Sequence, residues 1–267
     1  MSTLDPARDA LVVAKRNLIK SKRVPDLLVF TTLSPIMFVL LFAYVFGGAI
    51  APGDAAAYRE FLIAGIFAQT VVFGSTITGS SLADDLQKGL IDRFRSLPMS
   101  RSAVLVGRTI ADLGLNSISI VVMVITGLLV GWRVHSSPGE VAGGFLLLLL
   151  FAYAMSWVMA TVGLLVRTPE VVQNASFIVI FPLTFIANTF VPTNNFPAFL
   201  KVIADWNPVS AVVQAARQLF GNTAPILQTS HAWSLQHPVV YTLIWAVVLL
   251  VVFVPLSVRI YQRTASR

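Results

Sequence analysis

Six long apolar stretches, Leu27–Phe46, Phe61–Thr78, Val104–Val130, Val141–Val166, Val171–Val191 and Val239–Val258, alternate with shorter polar ones along the chain. Each is about the length a helix needs to cross a hydrocarbon layer of roughly 30 Å. The runs are continuously apolar and do not alternate in and out as barrel strands do. Helices, which close their own backbone hydrogen bonds in lipid, are therefore favoured over a barrel. The pattern predicts an all-α integral membrane protein with six transmembrane helices in a single domain, 1–267. Composition agrees, because 56% of the residues are hydrophobic and only 12% charged, too few to cover a water-facing globule.

The segments beside the spans carry their own periodicities. In region 1–26, Leu11, Ala14, Leu18 and Ile19 recur at helical spacing among Lys15, Arg16 and Lys20, which predicts an interfacial helix with a basic face. Ala49 and Ala51 form a small-x-small pair after the first run, but that run is too long for a signal core, so a retained helix is expected. Pro35, Pro182 and Pro255 sit inside three spans and should kink them. Gly74, Ser75, Thr76, Thr78, Gly79, Ser80 and Ser81 in the second span, and Ala152, Ser156 and Ala160 in the fourth, are small enough to let backbones approach closely.

Region 192–238 predicts two short helices on the outer side. Phe196, Phe199, Leu200, Ile203 and Trp206 form one stripe, and Asn207 and Pro208 then supply an N-cap and first helical position. Val209, Val212, Val213, Ala216, Leu219 and Phe220 form the second stripe, up to Gly221 as C-terminal stop. About 13 residues reach only about 20 Å, so the second helix should dip into the outer leaflet or lie on it. Arg217 in its last turn can neutralise the carboxyl end of its own helix or meet lipid phosphate or substrate.

Asp84 to Arg101, DDLQKGLIDRFRSLPMSR, is the longest charge-rich segment. Read as helical around Gly89, it aligns Leu82, Leu86, Leu90, Phe94 and Leu97 in one apolar stripe within region 81–101. Pro98 ends it. Asp84, Asp85 and Asp92 would be repelled by anionic headgroups, so a protein partner explains the mixed charge better than lipid adhesion.

Charge sets the orientation. The formal net charge is +7, and threading six spans puts all Lys and Arg on one side except Arg59, Arg133, Lys201 and Arg217. That asymmetry predicts cytoplasmic N- and C-termini and attributes the basic balance to topology and anionic membrane lipid instead of nucleic acid. The absence of cysteine excludes disulfides and thiolate metal sites. His135, His231 and His237 are isolated, which disfavours a metal site and a membrane enzyme. Arg108 and Asp112, one helical turn apart, predict a local ion pair, with a proton relay as the alternative for Asp112. Gln69, Asn116, Gln173, Asn174, Asn188 and Arg217 are the polar candidates for a substrate pathway, inter-helix hydrogen bonding being the other explanation. No inverted repeat or acidic cluster supports an ion-driven secondary transporter.

The DDLQKGLIDRFRSLPMSR loop after the second span, the NTFVPTNNFPAFLKVIADWNPVSAVVQAARQLFGN segment after the fifth, and the six spans together resemble the permease subunits of ABC-2 type exporters, in the daunorubicin-resistance-like branch. The resemblance covers nearly the whole chain. It implies that the loop between spans two and three enters a groove on a separate ATPase and transmits its closure. Asp84, Asp85, Lys88, Gly89, Asp92, Arg93, Arg95, Pro98 and Arg101 are then the ATPase-coupling candidates. Relatives often carry a glutamate where this chain has aspartates. The resemblance further implies two ATPase copies and a second permease, identical or related, with ATP and Mg held by the ATPase and no cofactor on this chain. The lack of a GxxxxGK[ST] phosphate loop agrees. The expected cargo is a hydrophobic or amphipathic drug-like or lipid-like compound leaving across the plasma membrane, with polysaccharide export as the alternative.

Overall fold

The computed structural model describes residues 6–22, 25–50, 54–90, 102–166, 168–193, 196–223 and 232–264, which are mainly helical with no strand among them. The elements are α1 (Pro6–Lys22), α2 (Pro25–Leu40), a π-helical turn (Leu41–Phe46), α3 (Gly47–Ile50), α4 (Ala55–Gly74), α5 (Thr76–Gln87) and α6 (Ala103–Val130). They continue as α7 (Pro138–Leu165), α8 (Pro169–Ile186), α9 (Ala198–Trp206), α10 (Pro208–Phe220), α11 (Trp233–Gln236) and α12 (Pro238–Thr264).

Six stretches among the described residues are long and apolar enough to cross a membrane: Thr32–Ile50, Ala55–Gln87, Ala103–Val130, Pro138–Leu165, Pro169–Ile186 and Pro238–Arg263. The chain is a multi-pass membrane protein. Six crossings bring α1 and the end of α12 to one side, called here the terminal side; the other is the far side.

Local chemistry fixes the helix ends. Ser137 and Glu140 form a capping box at the start of α7, and Pro138 takes the first helical position. Gly131 closes α6 with φ +102° and Gly221 closes α10 with φ +72°, left-handed backbone that costs glycine nothing. The second crossing is longer than its apolar run suggested and breaks at Ser75, whose hydroxyl donates to Val72 O at 2.6 Å. Pro35, Pro182 and Pro255 all lie inside helices.

The second and fourth crossings are the most buried and form the centre of the bundle. Their terminal-side halves touch backbone to backbone: a Cβ on Gly79 would stand 2.7 Å from Met159 O, and Gly163 faces Gly79 in turn. The small residues of spans two and four therefore pack within one chain. Towards the far side, Phe67, Trp132, Phe145 and Phe220 form an edge-to-face cluster with centroids 4.8 to 5.8 Å apart. On the terminal side Leu82, Val104, Leu105, Trp157, Leu164 and Tyr261 form a second core.

Helix α1 lies along α6. Ala10, Val13, Ala14 and Asn17 are buried, whereas Leu11, Val12 and Ile19 are exposed. Gly107 makes the approach possible, since a Cβ there would stand 2.5 Å from Ala10 O. Gly107→Leu should lift α1 off its seam: limited trypsin digestion of the purified protein is expected to cut at Lys15 or Arg16 several-fold faster than in wild type. Unchanged cleavage would show that the seam does not hold α1.

Helix α10 has the predicted bounds and caps, and of the two placements expected for it, dipping inward or lying on the surface, its packing fits the first. It is buried on nearly every side, packed on α4, α7 and α12, and only α9 exposes apolar side chains, Phe199, Val202, Ile203 and Trp206. A 13-residue helix too short to cross can still serve as core when neighbouring crossings surround it.

Candidate functional site

A cavity of about 330 Å³ lies between α2, the α4–α5 break, α6 and α8. Its helices are irregular where they reach it: Pro35 in α2, the Gly74–Ser75 break, and Pro182 one residue beyond Phe181. The α6 side is polar and the α8 side aromatic. Gln69, Thr70 and Thr76 come from the second crossing, Asp112, Asn116 and Ser119 from α6, and Ser34 from α2; Phe177, Phe181 and Phe185 come from α8, with Phe38 on α2 and Phe73 on α4 beside the polar residues of those helices. Ser34 and Phe177 are exposed, so the cavity opens laterally between α2 and α8.

The polar wall is built by helical spacing on α6. Arg108 and Asp112 are buried and doubly joined, Nε to Oδ2 at 3.0 Å and a guanidinium nitrogen to Oδ1 at 3.0 Å. Thr78 adds a hydroxyl donated to Oδ2 at 2.7 Å. One turn on, Asn116 Nδ2 donates to Asp112 O at 3.1 Å, which leaves Oδ1 packed against Gly74. Asn116 Oδ1 and Gln69 Oε1 are buried without a hydrogen-bond partner. Gly74 makes room, because a methyl there would collide with Asn116 Oδ1.

The aromatic wall continues as a column. Phe177, Phe181 and Phe185 stack along α8 at 4.8 and 4.0 Å, and Phe190 follows at 4.9 Å. Phe42 stacks on Phe190 at 4.4 Å, and Phe46 on Phe42 at 5.2 Å. The column leads from the cavity towards the far side along the seam of the first and fifth crossings.

Above it, the fifth crossing ends inside the bundle, where side chains must replace water as partners of its last carbonyls. Asn207 caps α10 by accepting from Val209 N, and its Nδ2 donates to Leu183 O at 2.6 Å. Arg217 is buried and spans the gap, donating to Asn188 O at 2.7 Å, Thr189 O at 3.2 Å and Phe61 O at 3.0 Å, with its guanidinium 3.4 Å from the centre of the Phe61 ring. Tyr58 adds a bond to Phe190 O at 3.0 Å. On the far side Asn222 accepts from Trp132 Nε1 at 2.7 Å and donates to Arg133 O at 2.8 Å, and His135 pairs with Glu60 at 2.8 Å.

The family model for the ABC-2 type transporter matches residues 8–220. The chain belongs to this family. Among individual relatives, the daunorubicin resistance ABC transporter permease protein DrrB1 of Streptomyces coeruleorubidus is 35% identical, the match covering 96% of this chain and 89% of that one. A probable doxorubicin resistance ABC transporter permease protein DrrC of Mycobacterium tuberculosis is 25% identical over 87% of this chain and 80% of its own. A putative transport permease ycf38 of Cyanophora paradoxa is 24% identical over 84% and 78%.

In this ABC-2 chain the pathway candidates divide. Gln69 and Asn116 line the cavity together. Gln173 and Asn174 are exposed on the outer face of α8, away from it. Asn188 and Arg217 are buried in the clamp above the column, and neither lines the cavity. Arg217 is also not turned to the end of its own helix: its partners lie on other segments.

At the loop end of the second crossing, Lys88 is exposed and its ammonium lies 2.8 Å from Asp84, which holds the lysine above its ordinary pKa. Asp85 is buried, so it is not on the exposed surface. The expected continuous helix around Gly89 is corrected: α5 stops at Gln87, and Gly89 turns the chain with φ +64°. Leu82 and Leu86 face the terminal-side core. Asp92, Arg93, Arg95, Pro98 and Arg101 fall outside the described residues.

The reading from residues missed the column and the clamp. Two runs of phenylalanine every fourth residue, 38, 42, 46 and 177, 181, 185, were a readable sign of aromatic faces. Nothing in the sequence says that those two faces adjoin.

Proposed function

We propose that this ABC-2 chain is the membrane-spanning half of an exporter driven by a separate ATPase, and that it moves an amphipathic drug-like or lipid-like compound outward across the plasma membrane. The observation that carries the reading is the two-walled cavity, polar on α6 and aromatic on α8, opening sideways between α2 and α8. A molecule already dissolved in the membrane reaches such an opening without first returning to water. A sugar polymer would call for an open, hydrated path instead of a mainly apolar cavity of this size.

The Lys and Arg asymmetry supports a cytoplasmic terminal side. The loop after α5 then faces the compartment that holds ATP. Two ATPases, which would bind ATP and magnesium, and a second permease complete the transporter. Closure of the ATPase pair pulls on the loop, and the break at Ser75 lets the terminal-side half of the second crossing move against its far-side half.

Co-expression with a P-loop ATPase and purification through a tag on this chain should recover both subunits, and reconstituted vesicles should export a lipophilic dye with added ATP. Dye export that runs on an ion gradient and ignores ATP would overturn the reading. Gly89→Val forces a branched side chain into left-handed backbone, a local cost of about 1–2 kcal/mol. That is too small to unfold a bundle, but it misdirects the loop. ATP-driven export should fall several-fold while the variant elutes as wild type in size exclusion; unchanged export would remove Gly89 from the coupling path.

A further inference from the structure

From the seam between α1 and α6 we infer a binding site for one anionic phospholipid of the terminal-side leaflet, with its phosphate on Lys15 and an acyl chain laid in the groove between the two helices. The site is separate from the cavity described above and does not depend on the export reading.

The groove exists because two helices run side by side. Ala10 O lies against Gly107, and Leu18 lies against Gly114, 3.2 Å from where a Cβ would stand. Seven positions forward on α6 thus match eight forward on α1, so the helices keep the same direction over about two turns. Helix α6 is a membrane crossing, and α1 follows its slope instead of lying flat. The groove therefore points along acyl chains and not across them. A space of about 380 Å³ remains in it, lined by Leu11, Ala14, Lys15, Leu18, Ile19 and Ile110.

Its depth suits a phospholipid. The 28 residues of α6 reach about 42 Å against about 30 Å of hydrocarbon, so the turn from Gly107 to Ile110 sits at the terminal-side edge of the hydrocarbon. Ala14 is buried and forms the floor, whereas Leu11, Leu18 and Ile19 are 61%, 36% and 43% exposed. Apolar side chains left open at that level are covered by lipid tails.

Charge then selects the headgroup. Lys15 is exposed and makes no ion pair or hydrogen bond among the described residues. Its long stem lines the groove while the ammonium reaches phosphate level. Helix α1 carries Arg8, Lys15, Arg16, Lys20 and Lys22 against Asp9, and each cation near a membrane surface is worth about a fivefold preference for anionic lipid. A zwitterionic lipid would bring its own ammonium towards Lys15. A protein helix in the groove would have to offer a carboxylate at the edge of the hydrocarbon, where acids are costly.

Native mass spectrometry of the full-length protein tests the site. With dioleoyl phosphatidylglycerol and dioleoyl phosphatidylcholine added at equal concentration in detergent, wild type should retain a single phosphatidylglycerol per chain, with several-fold preference over phosphatidylcholine. Lys15→Gln should weaken that retention about fivefold, and Lys15→Arg should restore it. Ile110→Trp, which fills the groove from α6, should abolish it, whereas Leu129→Val, exposed near the far end of α6, should leave it unchanged. Should Ile110→Trp fail to fold, the two Lys15 variants decide alone, because that side chain is exposed and bears on no packing. Excess glycerol 1-phosphate should not displace the lipid. Equal retention of the two lipids, retention indifferent to Lys15→Gln, or displacement by glycerol 1-phosphate would overturn the site. So would a dimer of this chain that Ile110→Trp breaks without changing lipid retention, since the groove would then belong to a second copy.

Discussion

Arg217→Ala is expected to abolish accumulation of folded protein. The guanidinium is the donor for Asn188 O and Thr189 O, two carbonyls beyond the end of α8 with no helical partner, and it also ties in Phe61 O. Two buried acceptors left unsatisfied cost about 1–3 kcal/mol each, and the space vacated over Phe61 adds a cavity cost of similar size. The sum, on the order of 3–9 kcal/mol, is comparable to the whole stability of an ordinary fold. Arg217→Lys keeps the charge, but one ammonium cannot fork between Phe61 on one side and the end of α8 on the other, so an intermediate loss is expected. Thermal unfolding followed by fluorescence-detected size exclusion measures both. An alanine variant with wild-type melting and elution would refute the clamp and return Arg217 to the substrate pathway.

That clamp marks the boundary between what the chain declares and what it conceals. Helix α10 was legible in full because its determinants are local: Asn207 caps, Pro208 starts, Gly221 stops, and all three lie within the segment they define. The spans were legible for the same reason, since continuous apolarity is a property of a run. The role of Arg217 was not, because its partners lie 28, 29 and 156 positions away. A cation in a last turn looks like a dipole partner until the tertiary fold brings an unfinished helix end against it. Gly89 shows the opposite failure. A glycine inside an amphipathic pattern can be tolerated or can end the helix, and the apolar stripe on both sides argued for continuity, yet the backbone turns there with φ +64°. Of the cavity, Gln69 and Asn116 could be singled out as polar residues in apolar spans. Gln173 and Asn174 looked equivalent, and only the packing separates a side chain aimed inward from one facing out.

Removing Arg108 alone should be far worse than removing Arg108 and Asp112 together. In Arg108→Leu the Asp112 carboxylate stays buried with Thr78 as its hydrogen-bond donor, and breaking a buried pair from one side costs about 3–5 kcal/mol. Asp112→Leu leaves a guanidinium near the terminal side of α6, where a long side chain can reach towards headgroups, so its loss should be smaller. In the double variant Arg108→Leu, Asp112→Leu no charge is stranded, the lost ion pair is offset by the desolvation it required, and stability should return to within about 1–2 kcal/mol of wild type. Asn116 keeps its orientation throughout, since its amide bonds the backbone oxygen of residue 112 and not the side chain. A thermodynamic cycle of the four proteins, read by reversible denaturation in detergent, therefore predicts strong non-additivity. Single losses that simply add would mean that the two side chains are not held as a pair. The cycle also bears on a proton relay at Asp112. With Asp112 serving as a brace held by Arg108 and Thr78, export by the double variant should keep its energy source, and its pH profile should follow that of wild type. A pH profile that collapses when the pair is removed would assign Asp112 to proton transfer and make the ion pair a gate instead of a brace.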